Sequence, residues 1–276
     1  MPTTTWRVVR DRALVGSGLA VSGVVQSFSY PTLRVGDRPE EKGYWDGGWA
    51  LLETDTADYP YRVISWDGAD TFSLSGSSAN VPPGSLYVLW RQASWPGVDE
   101  ALRQALRQVW EVFVPPVVKS FPLRSSQFRY PISPEIEAYK VWKVEVQPLE
   151  AYVPDYPYVE VEWRYYGNGQ EIELPPELVW PYSGRELRIW GAPPFPSPLL
   201  PTTGINLELP GDEVLLIRYL VGAIINYAGE LGIALEIGDV GQAPQRIPLG
   251  KRIQAEAVSE LLTRRRHLLR RGLRLW

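Results

Sequence analysis

The chain has 276 residues, a formal net charge of −4, no cysteine and one histidine. This length suffices for two or three compact modules, each with its own hydrophobic core. The absence of cysteine excludes disulfides and thiolate metal sites, and the single His267 argues against a multi-histidine metal centre or a Ser-His-Asp triad. We expect no signal peptide, because the first ten residues lack a charged start followed by an apolar stretch. We expect a soluble protein, because the longest apolar run, Val214 to Ile225, is too short to span a bilayer and contains Arg218.

The first 94 residues predict a small β-rich module. Residues 1–35 alternate loosely between apolar and polar and favour short strands. The segment Gly36 to Gly48 is charged and glycine-rich, so we expect an exposed, mobile loop. Its Trp45 would then be free to act as an interface anchor, as would Trp276.

Residues 48–90 contain four strand-like runs separated by turn signals. The runs are Trp49–Thr54, Tyr61–Trp66, Thr71–Ser75 and Leu86–Trp90. Ala57-Asp58 and Asp67-Gly68 separate the first three runs, and Asp-Gly between alternating apolar residues is a strong hairpin signal.

A helix is predicted over 98–113, within a linking segment that spans residues 95–120. Five apolar residues fall on one helical face, namely Leu102, Leu106, Val109, Trp110 and Phe113. Asp99 and Glu100 suit its positive N-terminal end, and Pro115-Pro116 stops it.

Residues 121–209 predict a central β-domain. The candidate strands are Phe128–Ile132, Val141–Val146, Val159–Tyr166, Glu171–Leu174 and Leu187–Trp190. Gly167-Asn168-Gly169 favours a hairpin turn, and Pro193–Pro201 favours an extended, rigid connection.

Residues 210–276 predict two helices, a strongly apolar one over 212–232 and a basic one over 251–271. A Gly/Pro-rich loop, 238–250, would join them. The fold class is therefore α+β, with a β-rich N-terminal module, a linking helix, a central β-domain and a two-helix C-terminal part.

Charge is distributed unevenly along the chain. Lys251–Trp276 carries a local net charge of +6, which leaves −10 for residues 1–250. The arginine run has three interpretations: a solvated helix end, a nucleic-acid contact, or docking onto an acidic protein through arginine donors and apolar anchors. We favour docking. The candidate partner-binding residues are Arg264, Arg265, Arg266, Leu268, Leu269, Arg270, Arg271, Leu273, Arg274, Leu275 and Trp276.

No other constellation indicates chemistry. Glu53, Asp55 and Asp58 lack the spacing of an EF-hand and are interpreted as a solvated hairpin loop. The carboxylate pairs Glu160/Glu162 and Glu171/Glu173 fit solvent-facing strand positions as well as they fit a glycosidase, and most tryptophans fit core packing better than sugar stacking. We therefore expect a protein that is not an enzyme, with no catalytic residue, cofactor or metal.

Four segments, in this order, resemble the head-to-tail adaptor (connector or neck) proteins of tailed bacteriophages. They are the β-module that ends in Pro82-Pro83-Gly84-Ser85-Leu86-Tyr87, the helix Val98–Phe113, the segment Tyr130–Ile136 that leads into Val141 and Val144, and Leu209-Pro210-Gly211-Asp212-Glu213 before an apolar and then a basic helix. The resemblance covers most of residues 48–276.

The resemblance implies a structural virion protein that forms a ring, twelve-fold in such adaptors, under the portal and joins capsid to tail. Its partners would be the portal protein, an adjacent neck or tail protein, and further copies of itself, with double-stranded DNA passing through without sequence-specific binding and no membrane contact. It implies a place in the neck of the virion, and in the host cytoplasm during assembly. Another tail component, such as a terminator, tube or baseplate protein, is the alternative.

The composition also favours a thermophilic host. Arginine outnumbers lysine 23 to 5, and the chain has only four asparagines, one methionine and 26 prolines. Hot-adapted proteins tend to have stiffened loops and few thermolabile residues. A GC-rich genome would produce a similar bias.

Overall fold

The computed structural model describes residues 5–54, 58–91, 93–114, 116–148, 158–195, 213–232 and 243–270, without the side chains of 243–244 and 265–270. Antiparallel sheets of seven, four and three strands combine with five helices in the described residues, which confirms the α+β class. The described residues fall into two compact units. Unit 1 holds those of Met1–Val109 and Ser197–Trp276, and unit 2 those of Trp110–Pro196.

Unit 1 begins with a helix, so the prediction of strands was wrong for its first element. Helix α1 runs Trp6–Gly16, and the Thr5 hydroxyl accepts a hydrogen bond from the Val8 amide as its N-cap. Its buried residues follow a helical spacing: Trp6, Val9, Arg10, Ala13 and Leu14. The helical spacing was missed in the sequence because Arg10, a charged residue, lies on the buried face among the apolar ones.

The seven strands that follow form one antiparallel sheet. They are β1 (Ala20–Val24), β2 (Ser27–Ser29), β3 (Thr32–Arg34), β4 (Trp49–Glu53), β5 (Asp58–Trp66), β6 (Thr71–Ser75) and β7 (Leu86–Trp90), in the spatial order β1-β7-β4-β5-β6-β3-β2. The two end strands, β1 and β2, are separated by only two residues of chain. Val25 N donates to Ser85 O at 2.8 Å and Gln26 N to Arg34 O at 2.9 Å, which joins both edges. The chain at Val25 and Gln26 thus bonds to the strands at both ends of the sheet, and we call this sheet, which surrounds one hydrophobic core, the barrel.

The barrel confirms the strand predictions, including β6 and β7 with their predicted bounds and the Asp67-Gly68 hairpin between β5 and β6. Residues 36–48 form the predicted loop, and several of them are exposed, but the prediction was wrong for Trp45. Trp45 is fully buried in the barrel core, and the Arg38 guanidinium lies 5.5 Å from the centre of its ring. Trp45 is thus part of the core and not an exposed interface anchor; Trp276 lies outside the described residues.

A buried ion cluster joins α1 to the β4–β5 hairpin. Arg10 is fully buried and donates to Asp11 Oδ1 (2.7 Å), Asp58 Oδ2 (2.7 Å) and Glu53 Oε1 (2.5 Å). Arg7 adds a contact of 2.5 Å to Asp58 Oδ1. The expectation of a solvated hairpin loop was therefore wrong for Glu53 and Asp58, which are buried against arginines 43 to 51 positions away in sequence; Asp55 lies outside the described residues.

Three carboxylates face two arginines in this cluster, so negative charge is in excess there. Burial raises the pKa of Glu53 to about 9, and neighbouring Asp11 adds to the shift. Burial also raises the pKa of Asp58, although Arg10 opposes the shift. Burial lowers the pKa of Arg10, but its three carboxylate partners outweigh that effect and raise it.

These shifts predict that the free energy of unfolding decreases as pH rises from about 5 to 9. Glu53 stays protonated in the folded state up to about pH 9, whereas it ionises near its ordinary value when unfolded. The folded state therefore binds more protons across this window, and stability is lost as pH rises. Glu53→Gln, which mimics the protonated form, should flatten the dependence. Urea unfolding at five pH values measures it; parallel curves for both proteins would contradict the prediction, and Glu41→Gln, at an exposed site of unit 1, is the control.

Helix α2 runs Trp95–Phe113, three residues longer at its start than predicted. The Gly97 amide donates to Ser94 Oγ at 3.3 Å, which extends the first turn back to Trp95. The predicted apolar stripe is confirmed, since all five of its residues are buried.

Unit 2 contains two small sheets around one core. The four-stranded sheet has the order β11 (Val159–Glu160), β10 (Val141–Val146), β14 (Glu186–Gly191), β8 (Val117–Pro122); the three-stranded sheet has the order β12 (Arg164–Tyr166), β13 (Glu171–Glu173), β9 (Arg129–Pro131). The Gly167–Gly169 hairpin is confirmed, with positive φ at all three residues. The single predicted strand Val159–Tyr166 is two strands in different sheets. Strand β8 and the short helix α3 (Pro176–Val179) were not predicted.

Two antiparallel helices complete unit 1. Helix α4 runs Glu213–Glu230, close to its predicted bounds, but α5 runs Ala243–Arg270 and begins eight residues before the predicted start. The glycines and prolines of 238–250 indicated a loop, yet residues 243–250 are helical and Gly250 packs against Gly222 and Asn226 of α4; residues 238–242 lie outside the described residues. In the described part of the chain, no helix is both long and apolar enough to cross a membrane.

Candidate partner-binding helix

Helix α5 is held against α4 by an unusually close backbone approach. A Cβ atom added to Gly222 would lie 2.7 Å from the carbonyl oxygen of Gly250, and one added to Gly250 would lie 2.5 Å from that of Gly222. A Cβ on Gly229 would lie 2.9 Å from Ile247 Cγ1. The two helices can therefore touch only because these positions carry no side chain.

Exposed ion pairs continue the contact along the two helices. Arg218 of α4 donates to Glu256 at 2.7 Å and to Glu260 at 3.3 Å, and Glu260 also accepts from Arg264 at 2.5 Å. Each such exposed ion pair contributes about 0–1 kcal/mol to stability. The ion pairs therefore help mainly to set the register of the two helices.

This register makes the end of α5 project. Gly229 lies against Ile247, Gly222 against Gly250, and Arg218 against Glu256. An antiparallel pair in this register places Leu262 level with Glu213, the first residue of α4. Residues 264–270 continue the helix beyond that level by about 10 Å, since each helical residue rises about 1.5 Å.

A groove lies beside the outer face of α5 within unit 1. Its volume is about 510 Å³, and its lining consists of Val109, Tyr219, Gln254, Ala255, Val258, Ser259, Leu262 and Thr263. Leu262 is 43% exposed there, while Ala257 and Leu261 are fully buried on the opposite side. Helix α5 thus has a core stripe and a second, exposed apolar stripe.

The predicted partner-binding residues are placed only in part. Arg264 is exposed and pairs with Glu260. Residues 265–270, which include Arg265, Arg266, Leu268, Leu269 and Arg270, lie on helical backbone without described side chains. Arg271, Leu273, Arg274, Leu275 and Trp276 lie outside the described residues. The structure therefore fixes the direction of the helix that carries the positions from 264 to 270, and Arg264 is the one with described contacts.

The sequence missed the groove. Ala255, Val258 and Leu262 follow the helical spacing i, i+3, i+7, so a second stripe was visible beside Ala257 and Leu261. The contributions of Val109 and Tyr219 could not be predicted, because they depend on how α2 and α4 pack against α5.

Other chemistry is not indicated by the described side chains. In the described ranges, no group of three or more histidine, aspartate or glutamate residues is arranged to hold a metal ion. Glu173, one of the paired carboxylates, forms ion pairs with Arg129 and Arg164 on the neighbouring strands. No protein-family model matches the chain, and no match was found among curated proteins.

Proposed function

We propose that this chain is a structural subunit of a tailed-bacteriophage neck, a head-to-tail adaptor that forms a ring beneath the portal. The observation that carries the proposal is α5, a 28-residue helix that runs past α4 and leads into the basic segment, residues 264–276. The order barrel, helix, β-domain and helix pair supports it, because the sequence resemblance rests on segments in that order.

The chemistry of the basic segment suits a protein partner with an acidic surface. Cations at the C-terminal end of a helix are favoured by its dipole, and guanidinium groups bind carboxylates with two parallel hydrogen bonds. Leucine and tryptophan among the arginines supply apolar anchors. We assign this segment to the portal, and other surfaces to neighbouring copies and to the adjacent neck or tail protein.

The adaptor role fits the charge distribution better than the alternative tail roles. A tube, terminator or baseplate protein would not need a long basic helix that projects from its body. Residues 1–250 carry a net charge of −10. If the inner surface of the proposed ring is negatively charged, double-stranded DNA passes through without binding, because contacts to its phosphates require cations. The proposed role is structural, in the virion, and involves no catalytic step.

Truncation after Thr263 should abolish binding to the portal ring encoded by the same genome. The truncated protein keeps the ion pairs of Arg218 and the glycine contacts, so it should fold. Co-sedimentation with purified portal rings measures the loss of binding, with the full-length chain as the reference.

Arg270→Glu should weaken portal binding by about tenfold, which corresponds to about 1.4 kcal/mol. Arg252→Glu changes the charge of the same helix equally at an exposed site outside the basic segment and serves as the control. Equal binding by the full and truncated chains would refute the assignment of this segment to the portal.

A further inference from the structure

Unit 2 has a notch at one end of its three-stranded sheet. It is lined by residues next to the ends of β9, β12 and β13, and its volume is about 420 Å³: Phe128, Glu162, Trp163, Arg164, Glu173, Leu174, Pro175 and Pro176. The Leu174 amide donates to the Phe128 carbonyl at 2.9 Å, and the Trp163 ring packs edge-on against Tyr165 at 4.8 Å. The lining is therefore fixed by strand pairing and ring packing.

The interior of the notch is aromatic and proline-rich. Phe128 and Trp163 are half-buried, and Pro175 and Pro176 come after Leu174, the residue that follows strand β13. Trp180 comes four residues after Pro176, one helical turn along, and is 63% exposed. Aromatic rings beside prolines form the kind of groove in which extended, proline-containing segments dock. An exposed tryptophan one helical turn from a residue that lines such a groove is within reach of a segment bound there.

The charge around the notch is negative and only partly balanced. Glu173 pairs with both Arg129 and Arg164. In contrast, Glu162 and Glu177 form no ion pair with any described residue. Unit 2 as a whole contains twelve acidic and eight basic residues, a net charge of −4. A partner that is complementary to this surface carries positive charge.

We propose that the notch binds an extended segment of a partner protein in which arginine or lysine alternates with proline, leucine or an aromatic residue. The apolar side chain lies between Phe128, Trp163 and the two prolines, and its basic neighbours face Glu162 and Glu177. The proposal goes beyond the adaptor function, because it assigns a second binding surface on the unit that does not contain α5.

The test uses the full chain and two fluorescein-labelled synthetic peptides. One has the sequence Arg-Pro-Trp-Pro-Arg-Pro-Leu-Arg, and the other replaces each arginine by glutamate. Fluorescence anisotropy should show saturable binding of the basic peptide, about tenfold or more tighter than that of the acidic one. Trp180→Ser and Glu162→Lys should each weaken binding by about tenfold.

Matched controls separate the notch from general surface effects. Trp142→Ser removes another exposed tryptophan of unit 2, on β10, and Glu41→Lys makes the same charge change at an exposed site of unit 1. Both should leave the affinity within about twofold of the parent. Equal losses in test and control variants, or no binding of the basic peptide, would overturn the proposal. A lowered sedimentation coefficient of the Trp180→Ser protein would also overturn it, because a second copy would then fill the notch. Portal binding is measured separately and stays intact in the notch variants.

Discussion

Replacing Arg10 by methionine should lower the free energy of unfolding by about 3–5 kcal/mol. The side chain is fully buried and donates to Asp11, Glu53 and Asp58. Its removal therefore leaves carboxyl groups in the core without their hydrogen-bond donor and with less compensating positive charge. The loss should be smaller at pH 5 than at pH 8, because protonation of the carboxylates relieves it. Urea unfolding followed by circular dichroism measures both values.

Arg12→Met, in the same helix, is the matched control for this prediction. Arg12 is 61% exposed and pairs with Glu213 at 2.6 Å. An exposed pair of this kind contributes about 0–1 kcal/mol, so its removal should change little. Equal losses for the two variants would show that burial of the Arg10 cluster does not determine the stability of unit 1.

Replacing Gly250 by valine should destabilise the α4–α5 pair by about 3 kcal/mol. The new Cβ would lie 2.5 Å from the Gly222 carbonyl oxygen and 2.8 Å from the Asn226 amide nitrogen, both of which are backbone atoms that cannot move aside as a flexible side chain can. The helices must separate, which also exposes Leu261 and the other apolar residues between them. Calorimetry of the variant measures the expected decrease in the melting midpoint.

Ala255→Val introduces the same side chain on the exposed face of the same helix. It should cost only the difference in helix propensity, about 0.5 kcal/mol. If the two variants had the same melting midpoint, the contact between Gly222 and Gly250 would not be what holds α5 against α4. The direction in which the basic segment projects would then have no structural support.

The sequence predicted best those elements whose signal is local. Strands β6, β7 and β10 have their predicted bounds, because alternating apolar residues end at turn signals or at a change of composition. Helix α1 was missed because the buried Arg10 interrupts its apolar stripe, and the hydrogen-bond partners of its guanidinium, Glu53 and Asp58, lie more than 40 residues away. Trp45 was misassigned for the same kind of reason, since the barrel core covers it from distant strands.

The candidate partner-binding helix was likewise predicted in part, from its local sequence, and missed where it depends on distant contacts. Composition alone indicated a basic helix with apolar anchors, and the structure provides that helix up to Arg270. Its early start at Ala243 and its projection beyond α4 depend on Gly222 and Gly250 meeting across two helices. Neither the groove beside Leu262 nor the notch at Trp163 is visible in sequence, since each is lined by segments that are distant along the chain.

Electron microscopy of this protein mixed with the portal ring from the same genome tests the central claim most directly. The adaptor proposal predicts an added ring of density with the symmetry of the portal, present with the full chain and absent after truncation at Thr263. Folded protein that leaves the portal undecorated would contradict the proposal and favour a role elsewhere in the phage tail.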